Sequence, residues 1–354
     1  MRQARADPAP AGGDQEDSDQ EGGGREGDSV IVAGPTCSGK SALALMLARR
    51  LGGVVINADS MQVYRELRVL TARPTPEEEA ACPHALYGVR PAASPGSAAW
   101  WRGEALAAMR AAWAAGMLPI LCGGTGLYLA ALTDGLADIP DPGEPARQAA
   151  RDLLAGIGPA ALHERLAALD PDTARRLRPS DGQRLARAWE VLHGTGKGLA
   201  AWQSAAAGSG RLPPAPARFT AVLLAPPRDA LRAAIGERFA AMLRQGALDE
   251  VCALLSLRLP CTLPAMRAHG VPELAAHLRG ELGLEAATAR AVLAQGRYTK
   301  RQATWFAHRA LAPADRTDII MTCMAGMKQY PESLDQKILS FVQTRVDATG
   351  PGRS

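Results

Sequence analysis

The segment GPTCSGKS, residues 34 to 41, carries residue types that together can bind phosphate. Gly34, Gly39, Lys40 and Ser41 match the pattern G-x-x-x-x-G-K-[ST] in full, between a β-branched run and a run with helical spacing. The glycines let backbone N–H groups curl around phosphate oxygens, and the helix N-terminus adds its positive dipole end. A glycine turn without a ligand is the alternative, but the complete pattern in this setting favours phosphate binding.

The loop pattern holds phosphate groups and leaves open what is attached to them. ATP is the default ligand, with the Ser41 hydroxyl offered to Mg²⁺. Motor ATPases usually add an acid at the tip of a second apolar strand, whereas the run LPILCGG ends in glycine. Asp59 could replace that acid as an indirect magnesium ligand. The sequence therefore disfavours a motor and leaves a small-molecule kinase or another diphosphate-handling transferase.

Two further polar residues follow predicted strands. Asp59 ends the run GGVVINADS, and Thr125 follows the glycines of LPILCGG. Ligands of open α/β sheets bind at the carboxyl ends of strands, where a carboxylate can hold metal or accept a proton. Either residue could instead cap the turn or helix that follows it. The position favours chemistry for Asp59 and leaves the two interpretations of Thr125 open.

Basic residues form the remaining candidates. Arg238 flanks the apolar stripe of a predicted helix, where a solvated surface arginine is the simpler interpretation. Arginines also recur on predicted helices between residues 147 and 187, and a second basic block, RYTKRQATW, contains Arg297, Lys300 and Arg301. Both blocks suit contacts with the phosphate backbone of a polynucleotide, although such arginines are more often a solvated face.

Strands and helices alternate along most of the chain, which predicts an α/β fold with a doubly wound parallel sheet. The carboxyl edge of that sheet would collect the glycine loop, Asp59 and Thr125. A proline-rich link near residue 138 precedes arginine-rich helical sequence, and strand character returns after a Gly/Pro/Ala linker. The predicted units are a disordered acidic tail (1–28), a discontinuous catalytic core (29–137 and 215–312), an all-helical insertion (138–214) and a C-terminal tail of unassigned role (313–354).

Composition sets the broad class of the protein. Among 354 residues, 47% are hydrophobic, and the formal net charge is +4. The first 28 residues carry eight acids against three arginines, so the rest of the chain is more basic and suits a polyanionic partner. The N-terminus lacks the apolar core of a signal peptide, and no apolar run is long enough to span a bilayer. A cytoplasmic protein with six reduced cysteines is expected.

Several segments together resemble the tRNA dimethylallyltransferase family, also called tRNA isopentenyltransferase. The matching segments occur in family order over roughly residues 29 to 309 and are GPTCSGKSALA, INADSMQVYRELRVLTARP, CPHAL, ILCGGTGLYLAAL, SDGQRLARAWEVLHGTGK, ERFAAML and RYTKRQATWF. The resemblance implies a P-loop NTPase-like fold with an inserted helical domain. It also implies that the loop holds the diphosphate of dimethylallyl diphosphate rather than the tail of ATP.

The implied reaction moves the dimethylallyl group to N6 of the adenosine on the 3′ side of the anticodon, in tRNAs that read codons beginning with U, and releases diphosphate. The resemblance assigns proton acceptance from the amine to Asp59, assistance of the leaving group to Thr125 and diphosphate binding to Arg238, with Mg²⁺ as cofactor. The implied diphosphate contacts are Gly34, Pro35, Thr36, Cys37, Ser38, Gly39, Lys40 and Ser41. The implied contacts with the tRNA anticodon stem-loop are Asp59, Ser60, Met61, Gln62, Arg147, Gly182, Gln183, Arg184, Leu185, Ala186, Arg297, Lys300, Arg301 and Gln302.

The sequence departs from the family at two places within residues 29 to 309, and residues 310 to 354 look unlike the family's end. The family has an acid shortly after the histidine of CPHAL, where this chain has Tyr87 and Gly88, and a family Gly-Tyr pair is Gly270-Val271 here. A monomer is the expected assembly. The competing hypotheses are a P-loop small-molecule kinase with ATP in the loop and a non-catalytic RNA-binding protein with a vestigial loop.

Overall fold

The computed structural model describes residues 27–204, 211–322 and 332–346. Alternating apolar runs and glycine turns produce an α/β core, as the sequence pattern predicts. The strands are β1 (Asp28–Ala33), β2 (Gly53–Asn57), β3 (His84–Ala85), β4 (Leu118–Gly123), β5 (Leu136–Ala137), β6 (Arg211–Leu212), β7 (Arg218–Leu224) and β8 (Thr317–Ile320). The α-helices are α1 (Lys40–Leu51), α2 (Pro76–Ala81), α3 (Ala98–Ala114), α4 (Gly126–Thr133), α5 (Glu144–Leu169), α6 (Pro171–Ala174), α7 (Gly182–Thr195), α8 (Leu199–Gln203), α9 (Arg228–Arg244), α10 (Ala247–Ser256), α11 (Val271–Leu278), α12 (Leu284–Ala307) and α13 (Glu332–Val346).

Six strands form one parallel sheet in the order β3-β2-β4-β1-β7-β8. The strands β1, β2 and β4 are buried along their whole length, because helices cover both faces of the sheet. One face packs against Trp101 and Met109 of α3, and the other packs against Leu43 and Leu47 of α1. The carboxyl ends of β1, β2 and β4 therefore lie side by side at one edge.

The helices α5 to α8 fall within the predicted insertion and have a small core of their own, built from Leu162, Leu166, Leu185 and Ala188. Gly158 has φ 77° and ψ 169°, so α5 is two helical segments joined at a kink before Pro159. An antiparallel pair of two-residue strands, β5 with β6, joins the insertion to the core and was not predicted. Strands of two residues leave too little pattern in the sequence to be distinguished from a loop.

Asp28 was predicted to belong to the disordered tail, and the structure corrects that prediction. It lies in β1, where its carboxylate is paired with Arg218 at 3.0 Å and with Arg316 at 2.7 Å. A buried carboxylate is tolerated because two guanidinium groups compensate it. The arginines are 190 and 288 residues away in sequence, so no local pattern identifies them. Residues 1–26 lie outside the described part, and their predicted disorder stays a prediction.

The predicted C-terminal tail contains an element of the core. The strand β8 pairs in parallel with β7 from Ala221↔Thr317 to Leu224↔Ile320 and closes the edge of the sheet. The helix α13 packs on the same face of the sheet as α1, and Ile338 and Val342 are fully buried in the same core as Leu43. A four-residue strand, TDII, gives too little alternation to be recognised from sequence.

Within the described ranges, the structure contains no helix that combines the length and the apolar composition needed for a membrane span.

Candidate functional site

The glycine loop joins the end of β1 to the start of α1, as its pattern predicts. Gly39 adopts φ 95°, a left-handed conformation that favours glycine, and directly precedes the helix. A Cβ at Gly34 would meet the Leu224 carbonyl oxygen at 2.7 Å, so the first position also requires glycine. The first N–H groups of α1 lack partners inside the helix and can donate to an anion.

Two cationic side chains lie beside this loop. Lys40 Nζ is 3.5 Å from the Pro35 carbonyl oxygen, and burial lowers the pKa of the Lys40 amine while Asp59 opposes that shift. Arg238 reaches the loop from α9 and donates to Cys37 Sγ at 3.9 Å and to the Thr71 carbonyl oxygen at 3.4 Å. Its Nε is buried without a hydrogen-bond partner. The Arg238 side chain is therefore held at the loop with a donor to spare, rather than lying on a solvated face.

Asp59 and Thr125 meet where β2 and β4 end. The Asp59 amide donates to the buried Asn57 side chain at 2.8 Å, and Asp59 Oδ1 accepts the Met61 N–H at 2.9 Å. Thr125 Oγ1 accepts the Ser60 N–H at 2.9 Å and donates to Ser60 Oγ at 3.2 Å. Thr125 precedes α4 but makes no side-chain capping bond. The Thr125 side chain therefore does not cap the helix, which was one of the two interpretations left open by the sequence.

Glycines make this meeting of loops possible. A Cβ at Gly123 would overlap the Ala58 backbone, and one at Gly124 would overlap the Gln302 side chain. A Cβ at Gly126 would overlap the Trp305 ring. The run GGTG therefore brings β2, β4 and α12 into direct contact around Thr125.

Tyr298 and His269 also belong to the cluster and were missed by the sequence analysis. The Tyr298 hydroxyl lies within hydrogen-bonding reach of Thr125 and Gln302; burial, with Asp59 adding to it, raises its pKa to about 12. The His269 ring lies 4.8 Å from the Tyr298 ring, and burial lowers the pKa of His269. Helical spacing in RYTKRQ places Tyr298 beside Gln302, which is the one signal that could have identified it.

Ser41 and Asp59 offer the donor types that Mg²⁺ prefers, a hydroxyl and a carboxylate, beside a loop shaped for phosphate oxygens. Ser41 is exposed at the start of α1 and within hydrogen-bonding reach of the buried Cys122 thiol, whose pKa burial raises to about 11. Among the described residues, no group of three or more His, Cys, Asp or Glu side chains forms a metal cluster. The residues thus fit a magnesium ion that takes most of its ligands from substrate and water.

The predicted RNA contacts divide into exposed and buried residues. Arg297, Lys300 and Arg301 are exposed on α12, and Gln183 and Arg184 are exposed at the start of α7. Gly182 begins α7, and Ala186 is partly exposed on it. Arg147 is partly exposed and paired with Asp141 at 2.5 Å.

Three of the predicted RNA contacts are committed to the protein itself. Leu185 is fully buried in the insertion core, and Gln302 is 4% exposed. Gln62 donates to the carbonyl oxygens of Thr71 and Ala72 at 2.9 and 3.0 Å. Leu185 and Gln302 therefore do not present their side chains at the surface, whereas Ser60, Met61 and Gln62 are partly exposed.

The two departures from the family have local structural consequences. Gly88 has φ +60°, and a Cβ there would overlap the guanidinium group of Arg73, which fills the space beside it. An acidic side chain at this position would displace the end of the Arg73 side chain from the place it occupies here. Val271 is 1% exposed at the start of α11, so its side chain offers no contact to RNA.

Comparison with known proteins gives concordant matches. A model of the family described as IPP transferase matches residues 62–309, and one described as isopentenyl transferase matches residues 28–83. A tRNA dimethylallyltransferase of Gluconacetobacter diazotrophicus is 62% identical over 319 residues, which cover 90% of this chain and 95% of the relative. The tRNA dimethylallyltransferase of Gluconobacter oxydans is 61% identical over 320 residues, with coverage of 90% and 95%.

Solved structures agree with these sequence matches. The tRNA isopentenylpyrophosphate transferase of Bacillus halodurans superposes with a TM-score of 0.63 at 30% identity, covering 91% of this chain and 97% of that one. A eukaryotic dimethylallyltransferase acting on tRNA superposes with a TM-score of 0.74 at 24% identity, covering 93% and 81%. The second likeness concerns the fold alone.

Proposed function

Because this chain belongs to the IPP transferase family, we propose that it transfers a dimethylallyl group from dimethylallyl diphosphate to N6 of the adenosine on the 3′ side of the anticodon, in tRNAs reading codons that begin with U. The observation that carries the proposal is that the phosphate loop, Arg238, Asp59 and Thr125 lie together at the carboxyl edge of the sheet, a site called the cleft from here on. The site then has cationic groups for the diphosphate and a carboxylate for the attacking amine.

The reaction breaks the bond between the allylic carbon and the diphosphate oxygen, and that carbon forms a new bond to N6. Negative charge develops on the departing diphosphate, so fixed positive charges and N–H donors lower the barrier. The positive charges come from Lys40 and Arg238, and the N–H donors come from the loop amides and the unpartnered Arg238 Nε. Thr125 donates to the oxygen that leaves, and Asp59 accepts the proton that N6 loses.

Magnesium is the cofactor in this proposal, with Ser41 as its protein ligand and Asp59 acting through water. When bound, the ion neutralises charge on the diphosphate oxygens. The chain's own residues orient the diphosphate and hold the proton acceptor in place.

The tRNA anticodon stem-loop is the proposed macromolecular partner. Exposed Arg297, Lys300 and Arg301 lie on the helix that carries Gln302 and Trp305 into the cleft, so RNA bound there would deliver a base towards Asp59. The target base must leave its stack before N6 can react. We place the enzyme in the cytoplasm, where tRNA is available, and propose that it acts as a monomer.

Incubation of the protein with labelled dimethylallyl diphosphate, Mg²⁺ and unmodified tRNA tests the proposal. Label should enter tRNA with the wild type, and Asp59→Ala should lower the transfer rate by about 100-fold or more, because general-base assistance is lost. ATP hydrolysis measured in parallel serves as the control. Phosphate release from ATP without label transfer would support the kinase instead, and tRNA binding without either reaction would support an RNA-binding protein.

A further inference from the structure

Gln302 connects two loops of the cleft from a buried position on α12. Its Oε1 accepts the Thr36 N–H at 2.9 Å and the Thr36 hydroxyl at 3.1 Å. Its Nε2 donates to the Gly124 carbonyl oxygen at 2.9 Å. Both ends of one side-chain amide are thus engaged with the phosphate loop on one side and with the residue before Thr125 on the other.

These contacts limit which backbone N–H groups of the phosphate loop can bind an anion. Pro35 has no N–H, and its carbonyl oxygen accepts the Ser38 N–H at 3.2 Å. The Thr36 N–H is already occupied by Gln302. Neither Pro35 nor Thr36 therefore offers a backbone N–H to a bound anion. Donors remain further along the loop, where Gly39 leads into the N-terminus of α1 and Lys40 adds its charge.

The same side chain controls how close the loop comes to Thr125. Gly124 has no room for a side chain because Gln302 occupies that space, and Gly34 O lies 3.2 Å from the same Cβ position. In the proposed reaction the loop holds the diphosphate, and Thr125 acts on the oxygen that joins diphosphate to the allyl group. Their separation must match the length of one substrate.

We propose that Gln302 is a positioning residue that anchors Thr36 to the Gly124 carbonyl and so sets the distance between the phosphate loop and Thr125. Thr36 is then part of the anchor rather than a diphosphate ligand, and Gln302 acts through these two loops rather than on RNA. The role rests on the proposed diphosphate chemistry of this cleft.

Gln302→Leu removes the three hydrogen bonds to Thr36 and Gly124 and puts an apolar side chain of similar size in place of the amide. We expect kcat to fall about 100-fold, since a small misplacement of reacting groups has effects of that order. Affinity for Mg²⁺–pyrophosphate, measured by calorimetry, should also fall, whereas tRNA affinity should not change. Amide hydrogen exchange should accelerate in a peptide that contains Thr36, because its N–H loses its acceptor.

Gln295→Leu is the matched control, because Gln295 is also buried on α12, two turns earlier, at 6% exposure. It should leave kcat, pyrophosphate binding and exchange at Thr36 unchanged. Gln302→Glu tests the two ends separately, since a carboxylate keeps the acceptor for Thr36 and lacks the donor to Gly124. Exchange at Thr36 should stay slow in this variant while kcat still falls.

Equal losses in Gln295→Leu and Gln302→Leu would reduce Gln302 to a general packing role. Weaker tRNA binding with unchanged pyrophosphate binding would make it an RNA contact. Either result would overturn the proposal, as would a wild-type kcat in Gln302→Glu. Pyrophosphate binding and hydrogen exchange need no tRNA, so they decide the role of Gln302 even if the wild type transfers no label.

Discussion

Lys40 has a pKa below its ordinary value because burial penalises its charged form, an effect that the neighbouring Asp59 carboxylate only partly offsets. Its positive charge is therefore lost at a lower pH than that of an exposed lysine. A diphosphate stays anionic through this range. The cleft should bind it less tightly as the amine is deprotonated, so affinity should decrease with rising pH below the ordinary pKa of 10.5.

The Lys40→Arg variant tests this charge. Arginine stays protonated at every pH that a folded protein tolerates, so pyrophosphate affinity should hold to higher pH in Lys40→Arg than in the wild type. The measurement is calorimetric titration with Mg²⁺–pyrophosphate at several pH values. Parallel decreases in the two proteins would show that another group controls the pH dependence.

At the scale of single elements, close approach at Gly123 is the feature most sensitive to substitution. A Cβ at this position would overlap the Ala58 backbone, which cannot move without displacing Asp59. Gly123→Ala should therefore lower the free energy of unfolding by about 3 kcal/mol, near the upper end for overpacking, and also reduce the transfer rate. Urea unfolding and the transfer assay measure the two effects.

Gly103 provides the opposite case on α3. It is exposed within the helix, and a Cβ there would meet nothing within 4 Å. Gly103→Ala should raise the free energy of unfolding by about 0.5 to 1 kcal/mol through helix propensity, with no change in activity. Loss of stability in both variants would mean that the contact at Gly123 is not the cause.

Local pattern predicted the elements that position the site and could not predict how they meet. The helix α1 begins and ends where its spacing predicts, and Thr125 directly precedes α4. The bond from Thr36 to Gln302 joins residues 266 positions apart, so no local window contains it. Only the resemblance pointed to Arg238 as a site residue, because helical periodicity alone predicts that it lies on the solvent-exposed face of α9. The division of the predicted RNA contacts into exposed and buried residues likewise depends on tertiary packing.

At the scale of the whole molecule, Asp28 connects the first strand of the sheet to its last segments. Its carboxylate binds Arg218 of β7, and it also binds Arg316, which donates to the Arg345 carbonyl oxygen on α13. Asp28→Ala would leave Arg316 largely buried without its anion. We expect the free energy of unfolding to fall by about 3 kcal/mol, the usual effect of breaking a buried pair from one side.

Glu281→Ala is the control for Asp28→Ala, since Glu281 pairs with Arg279 where both side chains are more than half exposed. Its unfolding midpoint in urea should match that of the wild type, because water screens such a pair. Equal midpoints for Asp28→Ala and the wild type would show that the network adds no stability.

The short ladder between β5 and β6 places Leu136 opposite Leu212, so the polypeptide leaves the catalytic body and returns to it at adjacent points. The described residues between these strands, which form α5 to α8 with their separate core, connect to the rest of the protein beside this short pair of strands. Such an arrangement makes the segment a cassette: it can lengthen, shorten or be exchanged between relatives without altering the register of any strand beneath the cleft.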